Sequence, residues 1–160
     1  MRIAVISDLH HDERVAEYLY RTVSADRAFI LGDGCQPVTE LLSCRIPVTA
    51  VGGNCDIFGR RMLPFAVEEA QGVKFFLTHG HRYELCSGYG RLAFAAKSCG
   101  CSFALFGHTH IACIDAADGV TLFNPGSASR PRSGNRSYGV LEWDGSKFLP
   151  KIIDILPENC

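Results

Sequence analysis

This sequence predicts a layered α/β fold whose mixed sheets are covered by helices, and three observations carry the prediction. Ile3 to Ile6 and Ala28 to Leu31 are short continuous apolar runs, as expected of strands covered on both faces. Strand and helix alternate early in the chain. Later, paired strand-like runs flank turn signals, as in hairpins. At 160 residues the chain can build one complete core and is too short for two ordinary domains, so residues 1–160 are expected to form a single domain.

Taken in order, the first strand is Ile3 to Ile6. Asp12 to Ala25 then reads as a helix, because Val15, Tyr18, Leu19 and Thr22 recur at helical spacing, with Asp12 as N-cap. Ala28 to Leu31 completes a strand-helix-strand unit. Val38 to Cys44 supplies a short helix with Pro37 in its first turn, before the strand Ile46 to Val51. Phe65 to Glu69 and Lys74 to Thr78 flank the Gln71-Gly72 turn as a hairpin. Leu85 to Ser98 reads as a second long helix, with Leu92, Phe94, Ala95 and Ala96 on its apolar face and Gly100 as its stop. Ser102 to Phe106 is the next strand. Two hairpins follow, Ile111 to Ala116 with Val120 to Phe123 around Asp118-Gly119, and Tyr138 to Trp143 with Lys147 to Asp154 around Asp144-Gly145. Pro125 to Ser137 is the one loop rich in small and polar residues. There is no internal repeat, low-complexity tract or linker.

Composition narrows the function classes. Apolar content of 47%, charged content of 21% and a formal net charge of −1 are ordinary for a soluble globular protein and mark no nucleic-acid surface. Eight cysteines stand without a CxxC pair or disulfide framework, which argues for reduced thiols rather than a zinc ribbon. Cys99, Cys101 and Cys113 read as small core residues and Cys160 as a frayed terminus. Met1 to Ile6 runs straight into Ser7, Asp8 and His10, short of a signal peptide's apolar core, and no stretch could span a bilayer. A cytoplasmic protein is expected.

The six histidines fall into three pairs, His10 with His11, His79 with His81 and His108 with His110, each where an apolar run stops. Two further strand ends deliver Asp33 and Asn54. Imidazole, carboxylate and amide oxygen converging from strand ends suit borderline divalent metals at a two-metal hydrolytic site. In extended chain, residues i and i+2 point to one side, so Asp8 with His10, and His108 with His110, could each present two ligands to one centre. Glycine on both sides of Asp33 lets the backbone turn tightly there. Alone, Asp8-x-His10 is equally the signature of a turn with a helix cap; the ordered set of motifs carries the metal reading.

The ordered set Asp8-x-His10, Gly32-Asp33, Gly53-Asn54, His79-Gly80-His81 and Gly107-His108-Thr109-His110 resembles the calcineurin-like metallophosphoesterase superfamily. Gly53-Asn54-Cys55-Asp56, Thr78-His79-Gly80-His81 and Asn124-Pro125-Gly126-Ser127 look like its compact YfcE-type phosphodiesterase branch. The resemblance covers residues 1 to about 155 and implies a metallophosphoesterase-like fold with mixed sheets packed face to face and flanked by helices. It further implies that Asp8, His10, Asp33 and His110 hold one divalent metal, with Asp33 bridging to a second held by Asn54, His79 and His108. The implied cofactors are two such ions, manganese being favoured, with nickel, zinc, iron and cobalt also suited to the ligands. Two divalent cations, two carboxylates and a bridging hydroxide leave about one net positive charge, a match for a singly charged phosphodiester. The implied reaction is in-line attack of the metal-bridged hydroxide on the phosphorus of a small phosphodiester, with Asp33, Asn54, His79 and Cys55 at the reacting centre.

Cys55 departs from the larger superfamily, many of whose members carry histidine there. A thiol is a poor proton donor beside imidazolium, which leaves Asp56, His81 or water to protonate the leaving group and fits diesters better than alkyl monoesters. Asp56 reads as a brace for the Asn54 loop, and His11 as a surface residue at the helix entry. His81 stands between orienting a ligand, meeting substrate and forming part of a turn. Arg130, Arg132 and Arg136 could clamp a phosphate, although a solvated surface is the preferred reading. Two rival functions remain: a phosphomonoesterase, and a non-catalytic scaffold module like the retromer subunit of this fold, in which ligand positions would be lost. Homodimerisation through exposed strands or helices is compatible with the sequence, which marks no interface.

Overall fold

The computed structural model describes residues 1–56 and 62–156, so Cys160 lies outside the described residues. Two five-stranded sheets stack face to face. The first comprises β1 (Arg2–Ile6), β2 (Arg27–Ile30), β3 (Val48–Ala50), β9 (Arg136–Trp143) and β10 (Phe148–Ile155), in the order β10-β9-β1-β2-β3. The second comprises β4 (Phe65–Ala70), β5 (Val73–Thr78), β6 (Phe103–Leu105), β7 (Cys113–Ala117) and β8 (Val120–Asn124), in the order β4-β5-β6-β8-β7. Within them β1-β2-β3 and β5-β6-β8 run parallel, and the other pairings are antiparallel.

The alternation of side chains along each strand builds three cores at once. Ile3, Val5, Phe29 and Leu31 meet Phe75, Leu77, Phe103, Leu105 and Phe123 between the sheets. On the outer face of the first sheet, Ala4, Ile6, Ala28 and Ile30 pack on Val15 and Leu19 of α1 (Glu13–Thr22) and on Val38 and Leu42 of α2 (Gln36–Ser43). On the outer face of the second, Phe76, Ala104, Phe106 and Leu122 pack on Leu92, Ala93 and Ala96 of α3 (Gly90–Ser98). The four layers therefore follow from strands with two apolar faces. No helix among the described residues is long and apolar enough to cross a membrane.

Most local signals hold. Asp12 caps α1 by accepting the Val15 N–H at 3.2 Å, although the helix stops at Thr22, short of Ala25. Pro37 sits in the first turn of α2. At the end of α3, Gly100 adopts φ 70°, and the Cys101 N–H bonds to the Ala96 carbonyl at 2.9 Å, closing a Schellman motif. Asp118 and Gly119 both have positive φ, as a two-residue hairpin turn requires.

Other expectations are corrected. The stretch Leu85 to Ser98 is not one helix: a 3-10 turn, Leu85–Ser87, ends at Gly88 with φ 109°, and α3 starts afresh at Gly90. Glycine at 88 and 90 makes a continuous helix costly there. Phe94 points to solvent at 71% exposure, because the sheet selects the Leu92-Ala93-Ala96 face from a stretch whose spacing allows more than one. Phe94→Lys is accordingly expected to shift unfolding stability by no more than about 0.5 kcal/mol, read by denaturant titration. Residues 46–51 yield only the half-buried β3 at the sheet edge. The hairpin expected around Asp144-Gly145 does form, its four-residue loop held by Asp144 Oδ1, which accepts N–H bonds from Ser146 and Lys147. Cys101 is buried as expected, whereas Cys99 is exposed.

Candidate metal centre

The parallel strands of both sheets end on one side of the molecule, and the loops leaving them carry the chemistry. This is where open α/β sheets bind ligands, since the chain diverges after each parallel strand and leaves a crevice. Asp8 and His10 follow β1, Asp33 follows β2, Asn54 and Cys55 follow β3, His79 and His81 follow β5, and His108 and His110 follow β6. Ligand atoms lie within 4.8 Å of one another in three groups: Asp8, His10 and His110; Asp8, Asp33 and His79; and His10, Asp33 and Cys55.

The expectation of extended backbone at the paired ligands is not met. Asp8, His10, Asp33, His108 and His110 have φ of 55°, 48°, 57°, 67° and 58°, in the left-handed region. Each such residue costs about 1–2 kcal/mol against ordinary backbone, and strain of this kind collects at functional sites. His108 and His110 consequently diverge. His110 Nε2 lies 3.1 Å from Asp8 Oδ1 and 3.2 Å from His10 Nε2. The His108 ring instead contacts that of His79, with centroids 5.2 Å apart. Asn54 is exposed, its amide donating to Cys55 Sγ at 3.4 Å.

Two imidazoles have their tautomers set by carbonyl groups, which can only accept. His79 Nδ1 donates to the Leu31 carbonyl at 2.8 Å and His110 Nδ1 to the Arg130 carbonyl at 2.6 Å. In the neutral rings, both Nε2 lone pairs then face the crevice. His79 Nε2 is 3.3 Å from Asp33 Oδ2 and 4.0 Å from Asp8 Oδ1, yet is aligned for a hydrogen bond with neither. Asp8 is fully buried; its Oδ2 accepts from Ser7 Oγ at 2.6 Å and from the His108 N–H at 3.1 Å, while its Oδ1 has no hydrogen-bond partner. A buried carboxylate oxygen and a buried imidazole nitrogen left without partners are costly. A divalent cation fits this donor set and would satisfy both.

The electrostatics suit that occupant. Burial pushes the Asp33 carboxyl up, but contact with His79 and the Cys55 N–H outweighs it and holds the group well below the usual carboxylate range. Burial lowers His79, yet the Asp33 and Asp8 carboxylates more than offset it, so His79 titrates above an ordinary imidazole. Asp8 raises His110, whereas burial chiefly lowers His10 and His108. Metal binding needs neutral imidazoles. Raised His79 and His110 hold their protons to higher pH in the metal-free protein, so apparent metal affinity should fall as pH drops. The expected fall is roughly tenfold per pH unit for each proton displaced, measured by calorimetry between pH 8 and about 6. A pH-independent affinity would contradict it.

Cys55 lies beside Asp33, and desolvation together with that carboxylate pushes its thiol up to about 11. Asp56 is a brace, as expected: its carboxylate accepts the N–H groups of Asp33, Gly34 and Gly53, each at 2.8 Å. His81 is half-buried with Nδ1 unpartnered, its ring 5.5 Å from that of His79. His11 is exposed. Three residues had no role assigned from sequence. Ser7 orients Asp8. Asn124 ties the Gly107 carbonyl and Thr109 Oγ1 to the Gly126 N–H, and Ser127 Oγ donates to the Asp8 carbonyl. Residues 125–129 of this small, polar loop are thus buried against the centre. The motif Asn124-Pro125-Gly126-Ser127 was the available signal.

The model of the calcineurin-like phosphoesterase superfamily domain matches residues 1–146. The chain is 32% identical to the phosphodiesterase YfcE of Escherichia coli over 90% of this chain and 89% of that one. It is 38% identical to a probable metallophosphoesterase of Mycoplasma pneumoniae over 86 residues, spanning about half of that protein (52%). Among solved structures, a conserved Streptococcus pneumoniae protein described as a predicted phosphoesterase superposes with a TM-score of 0.81 at 29% identity, covering 98% of this chain and 92% of that one. Vacuolar protein sorting 29 of Cryptosporidium parvum reaches the same TM-score, 0.81, at 21% identity over 98% and 92%, a likeness of fold alone. The matched residues include every strand-end candidate ligand described above, and the chain belongs to the calcineurin-like phosphoesterase superfamily.

Proposed function

We propose that residues 1–160 form one metallophosphoesterase domain that hydrolyses small phosphodiesters at a centre of two divalent cations, with manganese the ion of choice for assay. Asp8, His10, Asp33 and His110 would hold one ion, and Asp33, Asn54, His79 and His108 the other. The single observation that carries this is the convergence of buried Asp8 Oδ1 and His79 Nε2, neither in an aligned hydrogen bond, with His110 Nε2 3.1 Å from the first and Asp33 Oδ2 3.3 Å from the second. When bound, such ions polarise phosphoryl oxygens and make water a nucleophile near neutral pH. The family match and the relative named a phosphodiesterase support the same reading.

The chain's own groups define the rest. Asp33 stays ionised across the physiological range and keeps negative charge between the two ligand sets. The Leu31 and Arg130 carbonyls fix the rings of His79 and His110, so no reorientation is needed when substrate arrives. Asp56 is fully engaged in bracing, and a Cys55 thiol titrating near 11 is a weak acid. Leaving-group protonation by either is therefore inefficient, which leaves that role to His81 or water and favours esters whose leaving group departs with little assistance.

The test compares bis(4-nitrophenyl) phosphate with 4-nitrophenyl phosphate on one manganese-reconstituted preparation, with metal content from elemental analysis. Diester turnover exceeding monoester turnover, with two ions per chain, is expected. Faster monoester turnover would make the protein a phosphomonoesterase. Stoichiometric metal without turnover of either ester would leave the scaffold reading.

A further inference from the structure

Around the crevice stand cationic side chains that the hydrolytic centre does not use. Arg130 and Arg132 lie on the strand-end loop that closes over His110, and this loop is tied down by main-chain groups. The Arg130 carbonyl accepts from His110 Nδ1 at 2.6 Å, its N–H bonds to Ser127 Oγ at 2.8 Å, and the Arg132 N–H bonds to the His110 carbonyl at 3.0 Å. Both side chains are exposed. Arg82, next to His81, has its Nε 3.4 Å from His81 Nε2. Among the described residues, none of the three has a carboxylate within ion-pair distance, while Arg2, Arg21, Arg27 and Arg91 each do. Arg136 is elsewhere, opening β9 opposite Ile155.

Main-chain contacts of Arg130 and Arg132 with His110 hold this positive charge beside the candidate ligands. A cation placed beside groups that are themselves to hold cations works against metal binding, so the arrangement is unfavourable unless an anion sits there too. One phosphodiester anion is already matched by the centre. Two exposed guanidinium groups on an anchored loop suit a further oxyanion, because each can present two parallel N–H donors. A terminal phosphate carries close to two negative charges at neutral pH, which matches the pair better than a carboxylate does.

We propose that Arg130 and Arg132 bind a second phosphate of the substrate, so that the preferred substrate is a phosphoester bearing a terminal phosphate group besides the scissile one. The proposal rests on the phosphoesterase reading and specifies its substrate class. The anchors of the loop are main-chain atoms, so replacing the side chains removes charge without untying it.

The test uses the metal-reconstituted full chain and two esters with the same scissile bond, thymidine 5′-(4-nitrophenyl phosphate) with and without a 3′-phosphate. The 3′-phosphorylated ester is expected to have a kcat/KM at least about tenfold higher, and in the Arg130→Ala/Arg132→Ala protein that ratio should fall to about one. Arg130→Lys/Arg132→Lys, which keeps the charge and loses the planar fork, should retain part of it. In parallel, calorimetry compares thymidine 3′,5′-bisphosphate with thymidine 5′-monophosphate, and the bisphosphate should bind about tenfold tighter only while the arginines are present. A wild-type ratio near one, or an alanine pair that slows both esters equally, overturns the proposal while leaving hydrolysis intact. Arginine-dependent binding of the bisphosphate with neither ester cleaved supports the rim and removes the hydrolase reading instead.

Discussion

Asp33→Asn is expected to leave a folded protein that hydrolyses bis(4-nitrophenyl) phosphate at least about a thousandfold more slowly. The side chain takes part in both halves of the site. Its Oδ1 accepts the Cys55 N–H at 2.8 Å and its Oδ2 faces His79 Nε2 at 3.3 Å. An asparagine oxygen can keep the first contact, and the amide N–H can then donate to the His79 lone pair. The loops should remain in place, because Asp56 still braces the Asp33 and Gly53 main-chain groups. What disappears is a negative charge common to two of the candidate donor groups, and with it, on the proposed two-cation reading, the balance that would let two cations sit as neighbours. Turnover and metal stoichiometry, measured with a circular dichroism check on folding, read the result. If the variant keeps metal-dependent turnover within tenfold of the parent, Asp33 does not bridge the ions.

Gly107→Ala should be damaging through geometry alone. A Cβ at this position would stand 1.9 Å from Ser7 Oγ and 2.6 Å from Asp8 Oδ2. The backbone cannot retreat cheaply, since the Gly107 N–H bonds to the His79 carbonyl and its own carbonyl accepts from Asn124. Overpacking of this kind costs about 1–3 kcal/mol of stability. The Asp8 carboxylate must also move, and a displacement of about 1 Å at a reacting centre can cost a hundredfold in rate. Ser7→Ala in the same chain would relieve the shorter contact and recover part of the stability. It should not restore turnover, because the contact with Asp8 remains and the Ser7 hydroxyl that orients the carboxylate is gone. Wild-type activity in Gly107→Ala would show that the loops are looser than these distances require.

The fold was legible where local signals and burial agree. Ile3 to Ile6 and Ala28 to Leu31 are apolar on both faces because one face meets the opposing sheet and the other meets α1 and α2. Asp12, Pro37, Gly100 and Asp118-Gly119 act through their own backbone geometry, and each was readable without knowledge of the rest. The errors fall where tertiary contacts choose between local options. Phe94 and Ala93 both fit a helical face, and only the position of the second sheet buries one and exposes the other. Leu85 to Ser98 carries apolar residues throughout, but Gly88 breaks it.

At the candidate site, residue types and order pointed to Asp8, His10, Asp33, Asn54, His79, His108 and His110, because few other roles require such side chains at successive strand ends. Which of them approach one another did not follow from spacing. His108 and His110 part company because their backbone is left-handed instead of extended, so His110 faces Asp8 and His10 while His108 turns to His79. The supporting contacts of Ser127 and Asn124 join segments far apart in sequence, and the donorless oxygen of Asp8 exists only once that packing is complete. The sequence by itself determined the secondary-structure alphabet and the chemical identity of the donors, since both depend on local conformational preference and side-chain type. The tertiary structure decided which donors share a cavity, which are deprived of water and partners, and where the arginines stand, since those depend on long-range packing and the fields it imposes.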